Sequence, residues 1–386
     1  MRGDDLLSAI RNMNLLMIRA VAIFFVSAIL YSPSSAQTGQ TRPLVIGASI
    51  PLTGPLAAYG TEFESGLRLA AAKVNTSGGV RGRPLALVVK DDAGQPALAV
   101  ANVKELVEAG SLALTGLHGS GSVEAVLPFI ESSDVPLIGV ASGAEVLRQP
   151  ARRSVFNLRA GIREEAAAIV LHLDTVGMAD IAAIAQDDAL GRAALEGIHF
   201  ELTRLAIRPQ ALVSMGAGAS ASEMAIAVAS ACSKRPRALV LALDARNALP
   251  VIRTARAKGC SAQIYLTSEA GAQLATPEMA GVIVAQVLPH PSSVSLPLLI
   301  DLQRQLSLKQ PGSVASYPLL EGYLYAQVIA EALGRCPDPG RACLIAAMEL
   351  RPIDVGGYRV QFAPGDHRGS RFVEMTIVSR DGHFRR

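Results

Sequence analysis

Short apolar runs alternate with helix-spaced segments along most of this chain, and the alternation occurs twice over. No other feature restricts the fold as much. The run LVIGASI at 44–50 is apolar on both faces and too short for a helix. From Gly60 to Val74 the apolar residues Phe63, Leu67, Ala70, Ala71 and Val74 recur at three and four, which predicts a helix stopped by Asn75-Thr-Ser-Gly-Gly79. Strands are predicted at 85–89, 112–114 and 136–140. Helices are predicted at about 96–108 and from the break Gly116–Gly121 to Ser132. The rhythm then restarts, with helices at 163–176, 190–205, 220–232 and 247–258 and strands at 181–185, 211–214, 238–243 and 263–267. Strands apolar on both faces and separated by helices belong to a mainly parallel sheet covered on both sides. The fold class is therefore α/β, with two doubly wound lobes of parallel central sheets. Beyond Pro289-His-Pro291, helices are predicted at 295–307, 318–334 and 340–350. Tyr358–Phe362 and Phe372–Val378 read as two strands joined by the turn Gly365-Asp366.

Composition narrows the function. A chain of 386 residues suits two domains, and 50% apolar against 18% charged residues allows a large core. The net charge of +3 gives no basic face for nucleic acid. The absence of Trp and an aromatic share of 4% argue against a base-stacking platform or an aromatic sugar groove. Arg19 precedes the apolar run AVAIFFVSAILY at 20–31, and Ser34 and Ala36 stand at the third and first positions before a cut after Ala36. This is the pattern of a secretory signal peptide over 1–36, with translation starting at Met1, Met13 or Met17. None of the four cysteines lies near that cut, so the exported protein is expected to be free in the periplasm rather than lipid-anchored. Cys336 and Cys343 close a turn-rich loop and form a possible disulfide; Cys232 and Cys260 could pair or stay as buried thiols. No spacing offers a zinc site. No metal and no cofactor is expected.

The stretches VIGASIPLTGPLAAYG, VNTSGGVRGRPLALVVKDD, GSGS, VFNLRA, QDDALGRAALEG, ARAKG and LEGYLYA occur in order from about residue 43 onward. Together they resemble the leucine/isoleucine/valine-binding family of periplasmic substrate-binding proteins of ATP-driven (ABC) transporters. The resemblance implies the type I periplasmic binding fold. It has two lobes joined by a three-stranded hinge, one lobe of 43–160 plus 290–354 and the other of 161–289 plus 355–386. A small amino acid or carboxylate would bind between them and pass to a membrane permease. The protein would be a monomer with no catalytic residues.

Residues of this sequence match the family's ligand positions. Ser120, in a Gly-rich loop entering a helix, matches the residue that holds the ligand carboxylate. Glycines there admit a ligand close to the backbone, and unsatisfied helix N–H groups favour an anion. In Ala141-Ser142-Gly143, Ala141 and Gly143 match two further carboxylate-binding positions, though the family often has a hydroxyl residue where Gly143 stands. Glu269 matches the acid that receives the ligand ammonium. Tyr59 matches an aromatic at the cleft mouth, or else caps the first lobe. Leu190 and Asp244 stand where the family has lobe-two aromatics, and Gly94 and Gly119 stand where typical leucine binders have a cysteine pair. Asp244 beside Glu269 would suit a more polar or more cationic ligand. Tyr317 and Tyr323 are candidate replacement aromatics, Tyr323 equally a core residue.

Two other readings compete. His118 and Ser120 suggest a hydrolase, but loop neighbours rarely have nucleophile–base geometry and no Gly-x-Ser-x-Gly elbow surrounds Ser120. No phosphate loop or dinucleotide fingerprint follows the first strand. A periplasmic subunit reporting a ligand to a signalling receptor is the alternative to an importer component.

Overall fold

The computed structural model describes residues 42–271 and 275–386. The expected leader over 1–36 lies outside these residues, as does the choice of starting methionine. Two sheets organise the chain. The first contains β1 (Leu44–Ile50), β2 (Leu85–Asp91), β3 (Ala113–Thr115), β4 (Leu137–Ile138) and β5 (Val155–Phe156). Its order is β2-β1-β3-β4-β5 and every pairing is parallel, with Leu44 opposite Leu85 and Ile46 opposite Ala113. The second contains β6 (Ile181–Gln186), β7 (Ala211–Met215), β8 (Ala238–Ala242), β9 (Gln263–Leu266) and β10 (Ile283–Gln286), joined by β13 (Glu374–Val378) and β14 (Phe384–Arg385). Its order is β7-β6-β8-β9-β10-β13-β14. The first five strands of each sheet thus follow the same doubly wound path. Strand order reverses between β1 and β3 in one sheet and between β6 and β8 in the other. In such sheets ligands sit beyond the carboxyl ends of the strands at the reversal.

The helices cover both faces, which is why the strands carry no polar side. β1 buries six of its seven residues, and β6 and β8 are buried throughout. Helices α1 (Ala57–Thr76), α2 (Pro96–Glu108) and α3 (Ser120–Ser133) belong to the first sheet. Helices α4 (Ile162–Thr175), α5 (Ala189–Arg204), α6 (Ala221–Cys232), α7 (Ala245–Ala257) and the single turn α8 (Ser268–Gly271) belong to the second. The chain then returns to the first lobe as α9 (Pro297–Lys309), α10 (Tyr317–Gly334) and α11 (Arg341–Leu350). α1 and α10 touch backbone to backbone. A Cβ on Gly66 would fall 2.0 Å from the Leu319 carbonyl oxygen, and one on Gly322 would fall 2.0 Å from that of Phe63.

Two expectations about the C-terminal region fail. Residues 358–362 and 372–378 are not partners: β12 (Tyr358–Val360) pairs antiparallel with β11 (Ile353–Val355), whereas β13 pairs antiparallel with β10 and β14. The turn at Gly365 exists, closed by reciprocal Ala363–Asp366 backbone bonds, but the chain leaves it for the other lobe. The second sheet is mainly parallel, with β13 and β14 added antiparallel, and its strand β10 was not anticipated. Local alternation identifies a strand but not its partner, which here comes from about ninety residues away. Tyr358, Val360 and Phe362 also pack in the first lobe's core, so the third crossing follows Phe362 rather than falling at 354/355. The crossings run through 157–161, 287–296 and 361–373. The first and third lie side by side: Asn157 N–H donates to the His367 carbonyl at 2.9 Å, and Gly369 N–H donates to the Asn157 carbonyl at 2.8 Å.

Both cysteine pairs are disulfides, Cys232–Cys260 and Cys336–Cys343, with Cα separations of 5.9 and 5.8 Å. Among the described residues no helix is long and apolar enough to cross a membrane.

Candidate ligand site

The strand-order reversals of the two sheets face one another across a cavity of about 330 Å³. Ser120 and Gly121 enter from the first lobe; Asp188, Leu190, Asp244 and Glu269 enter from the second. A much smaller recess of about 20 Å³ adjoins it, sharing His118 and Glu269 and lined also by Tyr59, Ala141, Arg159 and Tyr317.

The first-lobe wall presents hydrogen-bond donors to the cavity. Gly119 takes φ +77°, a conformation costly for a residue with a Cβ, and caps α3 so that Ser120 is its first residue. The fourteen-residue helix presents its unsatisfied N–H groups and positive dipole end beside the cavity. Ser120 Oγ lies 3.0 Å from Ser142 Oγ, which accepts the Ala144 N–H at 3.2 Å. Ser142, wholly buried, can therefore donate its proton to Ser120, leaving the half-buried Ser120 hydroxyl to donate into the cavity. His118 adds no cation. Burial and the nearby Arg159 push its imidazole down to about 3, and its ring sits edge-on to Tyr59 at 4.3 Å.

The second-lobe wall supplies the acid. Glu269 sits on α8, whose first residue is held from outside: Ser268 N–H and Oγ both donate to Glu165, at 2.6 and 2.8 Å. Arg159 Nη2 donates to Ser268 Oγ at 2.5 Å, and its other arm reaches Glu321 Oε1 at 3.4 Å. Glu321 in turn accepts from Tyr59 at 2.7 Å and from Tyr325 at 2.5 Å. Desolvation raises the Glu269 carboxyl to about 7; Arg159 pulls it down, while Glu165, Asp188 and Glu321 push it up. Glu165 is raised by its complete burial, against Arg159 and the Ser268 donors.

This geometry, donors for an anion facing an acid across a cleft between two doubly wound lobes, can be set beside known proteins. The sequence pattern of the periplasmic binding protein family matches residues 43–383. The chain belongs to that family. Leu/Ile/Val-binding protein homolog 3 of Brucella melitensis is 32% identical over 95 residues, a stretch spanning 25% of this chain and 26% of that curated relative. The crystal structure of an extracellular ligand-binding receptor from Verminephrobacter eiseniae superposes with a TM-score of 0.81 at 26% identity, covering 89% of this chain and 100% of the other. A substrate-binding periplasmic protein from Ralstonia solanacearum superposes at 0.75 with 28% identity, covering 88% and 99%.

Within this periplasmic binding protein the residues singled out in the sequence divide into groups. Ser120, Leu190, Asp244 and Glu269 share the larger cavity; Tyr59, Ala141 and Tyr317 reach the recess. Gly94 and Gly119, the positions of the missing cysteine pair, line the larger cavity together. Ala141 cannot offer its N–H, which donates to the Leu117 carbonyl at 2.9 Å. Gly143 lies under the start of α4, where a Cβ would come 3.1 Å from the Ile162 nitrogen. Asp244 is not a spare acid. One oxygen caps α7 through the Asn247 N–H at 3.0 Å and the other pairs with Arg246 at 3.0 Å, so its charge is balanced locally. Leu190 packs against the first lobe's apolar cluster across the cleft. Tyr59 and Tyr317 are each buried, Tyr317 against His290 and Phe384, and Tyr323 is core, with its hydroxyl on Asp301. Arg159 and Glu321 were missed. The one available signal was a charged residue at the end of an apolar strand, inside the stretch VFNLRA.

Proposed function

We propose that the protein is the exported solute-binding component of an ABC importer, working as a monomer in the periplasm. It captures a small zwitterionic solute of the amino-acid type between its lobes and delivers it to a membrane permease. The observation that carries this reading is the pairing of the Ser120 loop with Glu269 across one cavity: donors for a carboxylate on one wall, a carboxylate for an ammonium on the other. The volume of about 330 Å³ is near the lower end of the roughly 300–1,000 Å³ range of small-molecule sites. Names among its relatives support the branched-chain amino acids as first candidates. Two disulfides suit an oxidising compartment. The lobes comprise about 43–160 plus 290–362 and 161–289 plus the C-terminal strands, and they close by hinge motion at the three crossings.

Calorimetric titration of the purified protein with L-leucine, L-isoleucine, L-valine and the des-amino acid 4-methylpentanoate tests the reading. An amino acid should bind and the des-amino acid should not. Glu269→Gln should weaken the amino acid by about 10- to 100-fold, the worth of a charge-assisted hydrogen bond. Equal binding of leucine and 4-methylpentanoate would remove the ammonium–Glu269 contact.

A further inference from the structure

Arg159 stands on the first crossing, is almost wholly buried, and is bonded to both lobes. A buried guanidinium with several carboxylates around it stabilises a fold weakly, because desolvation offsets most of the attraction. Its placement is informative instead. One arm holds Ser268, the residue before Glu269; the other meets Glu321, which anchors the ring of Tyr59 at the recess. Glu165 lies 4.0 Å away and completes the hold on Ser268.

We propose that Arg159 is a positioning residue for ligand recognition: it ties the Glu269-bearing turn of the second lobe to Glu321 and Tyr59 of the first, and it is the buried counter-charge that favours the ionised form of Glu269. The inference rests on Glu269 being the ligand's ammonium partner. Both terminal nitrogens of the guanidinium already bond protein groups, Glu321 on one arm and Ser268 on the other. Among the described residues, the charged and titratable groups facing Glu269 come from several elements. Arg159 comes from the crossing, Glu165 from α4, Asp188 from the cap of α5, Glu321 from α10 and the neutral His118 from the loop after β3. Tyr59 and Tyr317 line the recess, and the locally balanced Asp244–Arg246 pair lines the cavity. Arg159 alone among them pulls the Glu269 carboxyl toward its ionised form; Glu165, Asp188 and Glu321 oppose it.

The test follows the Glu269 carboxyl directly, by ¹³C NMR of the ligand-free protein labelled at glutamate, with the resonance identified by its loss in Glu269→Gln. The wild-type midpoint should lie near 7. Arg159→Met should move it up by about one unit or more, the size of losing one neighbouring opposite charge. Glu321→Gln should move it down, because an opposing acid is gone and Arg159 is released toward Glu269. Opposite shifts are not what a merely structural role produces. If Arg159→Met does not fold, Glu321→Gln and Arg159→Lys decide: an unchanged midpoint in Glu321→Gln, or a Lys variant that folds but titrates well above wild type, overturns the proposal. A second arm uses L-leucine as probe. Its affinity should rise about tenfold between pH 6 and 8 as Glu269 ionises, and the rise should move to higher pH in Arg159→Met. Failure of leucine to bind would count against the amino-acid reading of the site, while the NMR titration would still judge Arg159.

Discussion

Glu269 is partly buried at the wall of the cavity, and the consequences of that position can be worked out at the single residue. Desolvation pushes its carboxyl up to about 7 in the folded chain, from an ordinary value near 4.5. The folded state therefore holds the proton more tightly than the unfolded state. The resulting stabilisation is complete below the ordinary carboxylate range and is lost as pH rises through about 7. Glu269→Gln should accordingly raise the melting temperature of the ligand-free protein by a few degrees at pH 8 and change it little at pH 5. Equal shifts at both pH values in a calorimetric scan would mean that the group is not desolvated as described. The opposite wall is milder. Removing the Ser120 hydroxyl takes one neutral hydrogen bond from the bound anion, so Ser120→Ala should weaken a carboxylate ligand by several-fold, about 1 kcal/mol, in the same titration.

At the level of elements, the site depends on how closely α1 and α10 approach. Tyr59 and Glu321 meet only because Gly66 and Gly322 let the two helix backbones touch. A methyl group at either position meets backbone, which cannot rotate aside. Gly322→Ala should destabilise the fold by about 1–3 kcal/mol or more by overpacking, read as a lowered urea midpoint, and should also weaken ligand binding by loosening the Tyr59–Glu321–Arg159 chain. A Gly322→Ala protein as stable as wild type would show that the helices can separate without cost. The helices and strands themselves were legible in the sequence to within a few residues, because apolar spacing is a local property. β10, β11, β14, the single turn α8 and the pairing of β13 were not: elements of two to four residues leave little periodic signal, and the antiparallel partner of β10 is remote in sequence.

For the whole molecule, the lobes already touch beside the cleft. Leu190 packs on the first lobe's core, and Arg163 on α4 reaches Glu145 at 3.5 Å. That pair is partly solvated, so its contribution to closure is small, about 0–1 kcal/mol. Burial of the ligand's two charged ends should dominate. Small-angle scattering should show a smaller radius of gyration with saturating L-leucine than without it, and in Glu269→Gln the same change should need about 10- to 100-fold more leucine. The Cys336–Cys343 bridge lies on the first lobe away from the cavity. Replacing both cysteines by serine should therefore lower stability without altering ligand affinity.

The sequence by itself determined the class of the fold, the doubling of the lobe, the loops that meet at the cleft and the acid opposite the Ser120 loop. These follow from apolar spacing, glycine placement and ordered stretches that match a family. Only the tertiary structure decided which polar groups remain available there. It used the N–H of Ala141 within the first lobe, balanced Asp244 with Arg246, turned His118 into a neutral wall and brought Arg159 to the recess that Glu269 also lines. The reason is physical. Spacing along the chain reports which residues must leave water. Whether a buried donor or charge is already satisfied depends on partners tens to hundreds of residues distant, which meet only when the lobes fold and pack.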